Sequence, residues 1–183
     1  GRIEQWKDSV SGLKAIYFIN FDDIDSDNVT YNATDTDVID SWQPAAPLNL
    51  YKYELKSTAN SFTTSINSSR DNGTTFFEQT LVANLKRQDF ATHKNVKLLA
   101  YGRPRIVVRT MTDQFFLMGL DQGADVSAGE ISTGAALGDF NGYSLTFTAQ
   151  EELPANFINV STEAALATAF ADGAAVDATI VTS

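Results

Sequence analysis

The densest set of oxygen ligands in the chain is Asp22-Asp23-Ile24-Asp25-Ser26-Asp27-Asn28. Alternating carboxylates of this kind hold hard cations such as Ca²⁺ and Mg²⁺. An EF-hand loop opening at Asp23 needs Gly at its sixth position and Glu at its twelfth. The sequence has Asn28 and Thr34 there, so that motif fails. An irregular divalent-cation site and a solvated acidic loop both stay open, and the solvated loop is the simpler reading. His93 is the only histidine. It could act as a general base if a Ser and an Asp converged on it, but Lys94 and Lys97 beside it suggest the polar side of a helix. Glu151-Glu152 could supply two carboxylates for glycoside chemistry. Neighbours in a strand point to opposite faces, which keeps them from one site. Gly134-Ala-Ala-Leu-Gly138 lacks the Gly-Lys-Ser/Thr of a phosphate loop. The sequons at Asn28, Asn32, Asn67, Asn72 and Asn159 fit either a glycosylated secreted protein or an Asn/Ser/Thr-rich chain that yields them by chance, and chance is the simpler reading.

Cysteine is absent, which removes disulfide scaffolds, thiolate metal sites and cysteine nucleophiles. The chain has 183 residues, 43% of them hydrophobic, enough for one domain with a sizeable core. No apolar run is long enough to span a bilayer, so no membrane partner is expected. Residues 1–10 are charged and lack the apolar centre of a signal peptide.

The elements that would position these residues are mostly strands. Residues 13–21 read as a buried strand. Residues 22–41 read as an acidic loop with at most a short strand, and the Pro-bearing segment 42–47 as a breaker. Residues 48–57 and 61–69 read as strands, the second polar. Asp71-Asn72-Gly73 is a hairpin turn that leads into 74–87, where Phe77, Gln79, Leu81, Ala83 and Leu85 share a face. Residues 89–101 change period and read as a helix, with Asp89 as N-cap and Gly102 closing it. Residues 103–111 and 114–120 read as strands joined at Thr112-Asp113. Residues 121–137 read as a long Gly/Ala/Ser-rich loop, and 143–149 as a strand with Tyr143, Leu145 and Phe147 on one side. A weak helix capped by Ser161 and a last strand over 175–181 complete the chain. The expected fold is mainly β: an antiparallel β-sandwich or partly rolled barrel with one flanking helix.

Charge is uneven. The net charge is +1 over residues 1–21, −7 over 22–40, +6 over 41–109 and −10 over 110–183, where no Lys or Arg occurs. Either this is a mixed surface, or a basic part of one copy meets an acidic part of the next. Contacts of the second kind build rings or filaments.

The order of hairpin, helix, second hairpin, Gly-rich loop and aromatic-led strand resembles the tail tube (major tail) proteins of tailed bacteriophages. The strings that carry the resemblance are Thr133-Gly-Ala-Ala-Leu-Gly-Asp-Phe-Asn-Gly-Tyr-Ser-Leu-Thr-Phe147 and Lys7-Asp-Ser-Val-Ser-Gly-Leu-Lys-Ala-Ile-Tyr-Phe-Ile19. It covers residues 1–158; the acidic stretch 22–41 and the Ala/Thr-rich extension 159–183 have no counterpart. The resemblance implies a β-sandwich that assembles into six-membered rings, stacked head-to-tail into a tube through which DNA passes. It implies no enzyme activity and no cofactor. It places the protein in the virion tail, assembled in the host cytoplasm, beside tape-measure, terminator or sheath proteins. On that reading Lys94, Lys97, Asp121, Asp125, Glu130 and Gly134 are expected between subunits. Ser61 and Ser144 are expected on the lumen wall, with Asp113 and Asp139 near its openings. The alternative is a surface- or carbohydrate-binding sandwich, such as a capsid decoration protein, with Trp42, Tyr51 and Tyr53 as an aromatic platform.

Overall fold

Leu13–Ile19 forms the first strand, β1, and six of its seven side chains are buried. Such a strand lies between two hydrophobic layers, and its near-continuous apolar sequence follows from that. The computed structural model describes residues 10–56 and 59–182. The charged N-terminal run to residue 9 lies outside them, as does Ser57 at the end of an expected strand.

The remaining strands among the described residues are β2 (Val29–Tyr31), β3 (Val38–Trp42), β4 (Asn49–Glu54), β5 (Ser61–Ser69), β6 (Thr74–Lys86), β7 (Arg105–Thr110), β8 (Phe115–Met118), β9 (Asp125–Ser132), β10 (Gly142–Glu151), β11 (Asn156–Ile158) and β12 (Thr179–Thr182). The α-helices are α1 (Phe90–Tyr101) and α2 (Glu163–Ala169). One sheet has eight strands in the order β12-β4-β1-β7-β8-β11-β3-β2, and the other has four in the order β5-β6-β10-β9. Ile16 and Phe18 of β1 and Ile106 and Val108 of β7 meet Leu81, Leu85, Leu145 and Phe147 of the smaller sheet in one cluster. A second cluster covers the other side of β1 and β7, where Tyr17, Ile19 and Val107 join Trp42, Leu50, Phe115, Leu166 and Phe170. The C-terminal extension therefore belongs to the core: α2 supplies Leu166 and Ala169, and β12 adds a strand beside β4.

Several expectations change. The larger sheet is mixed, because β11 runs parallel to β3 and β12 parallel to β4. Neither sheet closes into a barrel, since each ends in edge strands. The weak helix expected near the C-terminus forms as α2 beside the flanking helix α1, but its cap is Thr162, whose Oγ1 accepts from Ala165 N at 3.2 Å, not Ser161. The 121–137 segment is not a loop throughout: Asp125–Ser132 forms β9 and pairs along β10. The acidic 22–41 stretch contains β2 and all but the last residue of β3. Gly102 closes α1 in an extended conformation at φ −96°, without the left-handed turn expected of a helix-ending glycine.

Local signals hold elsewhere. Asp89 Oδ1 accepts from Ala91 N at 3.1 Å and Oδ2 from Thr92 N at 3.3 Å, and α1 starts there. Gly73 at φ +64° closes the β5–β6 hairpin. Gln79, Leu81, Ala83 and Leu85 are buried on one face of β6, as are Tyr143, Leu145 and Phe147 on β10.

Candidate functional site

The four-stranded sheet has one apolar face and one polar face, because its long strands alternate. Cross-strand pairing sets Ser61 of β5 beside Val82 of β6, and Val82 beside Thr146 of β10. Ser144 sits opposite Glu130, and Thr148 opposite Asp125 of β9. Directly paired residues share a face. Ser61, Ser144, Glu130 and Asp125 therefore lie together on the side that faces away from the core. Thr63, Ser65, Asn67, Glu78, Thr80, Asn84 and Gln150 extend that surface. Hydroxyls on it bond to one another and to the backbone: Ser127 Oγ lies 2.8 Å from Thr148 Oγ1, and Ser65 Oγ donates to Glu78 O at 3.3 Å.

The charge on this face is mostly negative. Strands β5, β9 and β10 contain no Lys or Arg, and β6 contains only Lys86 at its end. Lys86 continues the outward series of Val82 and Asn84 at the end of the face, and its Nζ donates to Lys56 O at 3.2 Å. Glu78, Asp125 and Glu130 remain. Among the described residues the sheet ends in two edge strands, β5 with nine residues and β9 with eight, the second with α1 beside it.

The other expected site residues fall elsewhere. Asp113, at φ +58° in the β7–β8 turn, belongs to the larger sheet and not to the polar face. Its Oδ1 pairs with Arg109 Nη2 at 2.6 Å and with Lys14 Nζ at 3.0 Å, and these bonds hold its carboxyl below the usual range. Asp139 sits in the β9–β10 connection at the end of the smaller sheet, where its Oδ2 accepts from Ala135 N at 2.9 Å and Ala136 N at 2.7 Å. Gly134 serves that same turn. At φ +70° a Cβ there would lie 2.6 Å from Asp139 Cβ, so glycine is required by the chain itself. Asp121 is exposed after β8, and its N–H donates to the buried Glu151. Lys94 and Lys97 are exposed on α1. His93 is exposed too, with Nδ1 3.5 Å from Tyr143 Oη. Trp42 is fully buried and Tyr53 is 8% exposed, so the aromatic platform does not form. Among the described residues no group of three or more His, Cys, Asp or Glu side chains converges as metal ligands do.

Two polar centres were not visible in the sequence. The first is Arg105, which is 2% exposed. Its Nε donates to Leu120 O at 2.9 Å, and its Nη1 to Phe21 O at 2.7 Å and Ile24 O at 2.5 Å. Its guanidinium also lies 4.2 Å from the Phe21 ring centroid and 4.9 Å from that of Trp42. Burial lowers its pKa, while Asp121, Glu151, Asp25 and Asp22 oppose the shift. The second is Glu163, at the start of α2. It bonds Tyr17 Oη at 2.6 Å, Lys52 Nζ at 2.5 Å and Arg109 Nη1 at 3.1 Å. Part of the basic middle block thus meets the acidic C-terminal block inside one chain. No single base among many announces which will be buried; only the proximity of acidic and aromatic residues around 21–25 offered a hint.

Comparison with protein-family models, curated proteins and solved structures found no match to this chain.

Proposed function

We propose that the chain is a structural subunit of a bacteriophage tail tube, a sandwich of its two sheets that assembles with copies of itself. The observation that carries this reading is the polar face of the four-stranded sheet, free of Lys and Arg on three of four strands and bounded by the edge strands β5 and β9. A ring forms when the β9 edge of one copy pairs with the β5 edge of the next, and the polar faces then line a common channel. DNA moving through such a channel meets mainly Ser, Thr, Asn and carboxylates, with Val82 and Phe76 among them. Lys and Arg would hold phosphates by counterion release; carboxylates repel them weakly and leave the backbone hydrated. The edges supply main-chain donors and acceptors for assembly without any side-chain chemistry. Six-membered rings, stacking partners and a place in the virion tail are what the resemblance implies, and they form part of this proposal.

Negative-stain microscopy of the purified protein tests the reading. Rings or tubes with a stain-filled centre are the expected result. A chain that stays a dispersed monomer at high concentration, in both low and high salt, overturns it.

A further inference from the structure

α1 carries two opposed stripes. Val96 and Leu99 join the core between the sheets, and Asn95 Nδ2 donates to Tyr53 Oη at 3.0 Å. Phe90, Lys94, Lys97, Leu98 and Tyr101 follow the spacing i, i+4, i+7, i+8 and i+11, so they share the opposite side. Phe90, Leu98 and Tyr101 are 90%, 60% and 85% exposed. Lys94 and Lys97 form no ion pair among the described residues. An apolar stripe of this kind is not needed to hold the helix on its own domain. It leaves an apolar surface flanked by two unneutralised positive charges.

A complementary surface lies on the opposite flank. α1 packs on the β9 side, where Gln88 just before it donates from Nε2 to Ser132 O at 2.8 Å. On the β5 side, Phe62 of β5 lies 6.1 Å from Phe116 of β8, and Phe116 lies 4.4 Å from Phe157 of β11, by ring centroids. β11, β3 and β2 thus carry the larger sheet on beyond the point where β5 meets it. Phe157 is 43% exposed there, beside its half-buried strand partner Val38. Asp37 directly precedes β3, Asp40 stands two residues beyond Val38 on the same face of the strand, and residues 22–40 contain no base. Among the described residues Asp40 accepts from the neutral amides of Asn32 and Asn159 and forms no ion pair.

The geometry points to α1 of one copy docking, by its outward stripe, on the Phe116–Phe157 patch and the Asp37/Asp40 rim of a second copy of this chain. The interface rests on the ring reading. Pairing β9 of one copy with β5 of the next brings the α1 flank of the first against the extended flank of the second. Phe90, Leu98 and Tyr101 then cover Phe157, and Lys94 and Lys97 face the carboxylates. The contact is heterologous: each copy offers both surfaces and uses both, which suits a closed ring.

The chain has no cysteine, so introduced thiols are its only ones. A Lys97→Cys/Asp37→Cys double variant, oxidised after assembly, is expected to give a ladder of covalent oligomers on a non-reducing gel. Each single variant is expected to stay monomeric there. Lys97→Glu should weaken assembly about tenfold, and combining it with Asp37→Lys should restore it, as reversal of one exposed pair does. Dimers of the Lys97→Cys single variant would mean a two-fold contact and overturn the proposal. Normal rings with no ladder and no charge rescue would overturn it while leaving the tube reading in place. A parent protein that forms no assembly removes the tube reading and this interface with it.

Discussion

Replacing Arg105 with Met should release the acidic segment from the body of the domain. Met keeps most of the side-chain volume, so the change tests the polar contacts and not a cavity. Three carbonyl oxygens, of Phe21, Ile24 and Leu120, lose their charged donor. A hydrogen bond with one charged partner contributes roughly 1.5–3 kcal/mol, and a buried acceptor left without a donor costs about 1–3 kcal/mol. Stacking on Phe21 and Trp42 adds roughly 0.5–1 kcal/mol each. Against this stands the gain from removing a desolvated charge, the same burial that lowers the Arg105 pKa. The expected net loss is about 3–5 kcal/mol, a large part of the ~5–15 kcal/mol that holds a domain of this kind together. Urea denaturation followed by tryptophan fluorescence reads it directly, since Trp42 lies against the guanidinium. Limited proteolysis should cut near residues 21–28 before the rest of the chain. Arg105→Lys should fall between parent and Met, because an ammonium keeps the charge but loses the planar fork. A Met variant within about 1 kcal/mol of the parent, and no easier to cleave, would show that the three carbonyls do not depend on Arg105.

Two further outcomes follow from the polar centres and the polar face. Burial raises the Glu163 pKa, but bonds from Lys52 and Tyr17 and the nearby Lys52 and Arg109 charges outweigh it and leave the pKa below the ordinary carboxylate value. Its folded-state pKa is depressed, so its contribution is full above about pH 5 and fades as pH falls through the folded value. Glu163→Gln should therefore cost about 1–2 kcal/mol near neutrality, allowing for partial exposure, and almost nothing near pH 2–3 in urea melts; a pH-independent difference would rule the ion pairs out as its source. Ser144→Lys/Thr146→Lys should make assembled particles retain DNA, with the salt dependence steepened by about 0.9 in log–log slope per lysine engaged. If filter binding shows the same weak retention for parent and variant, the polar face does not line the DNA path.

The strands most readable in the sequence are those with one wet face. In β6 and β10 the alternation of Gln79, Leu81, Ala83 and Leu85, or Tyr143, Leu145 and Phe147, with polar residues reports burial directly. The polar face could be anticipated for the same reason, and Ser61 and Ser144 do share it. β9 escaped notice because it borders the sheet and carries little apolar weight beyond Val126 and Ile131. Its Gly129 looks like a loop residue, yet Leu145 Cδ2 comes within 3.1 Å of where a Cβ would stand, so small size there serves packing across the pair. The parallel pairs were invisible for another reason. Thr179 meets Asn49, and Phe157 meets Val38, over separations that no local pattern encodes. The partners of Asp113 divide in the same way: Arg109 stands four residues before it in the same hairpin, whereas Lys14 arrives from β1, which a lysine-free neighbourhood over residues 110–183 does not announce.

The two edge strands of the smaller sheet differ in a way that bears on assembly. Sheet proteins that remain single usually guard an edge with Lys, Pro, a bulge or a covering element. β9 carries Asp125 and Glu130, has a register shift against β10 between Thr146 and Phe147, and has α1 against it. Among the described residues β5 has none of these defences: nine residues, Ser61–Ser69, without a charge, a Pro or a register shift against β6. Its side chains are Ser, Thr and Asn with Phe62 and Ile66, and Ile66 stands 67% exposed. A lone copy would thus offer an unguarded main-chain ladder beside an apolar side chain, a combination that invites strand addition. The guarded edge suits a partner that arrives in one register, and the unguarded one suits a partner that is always present. In a ring of identical copies both conditions are met by the same contact.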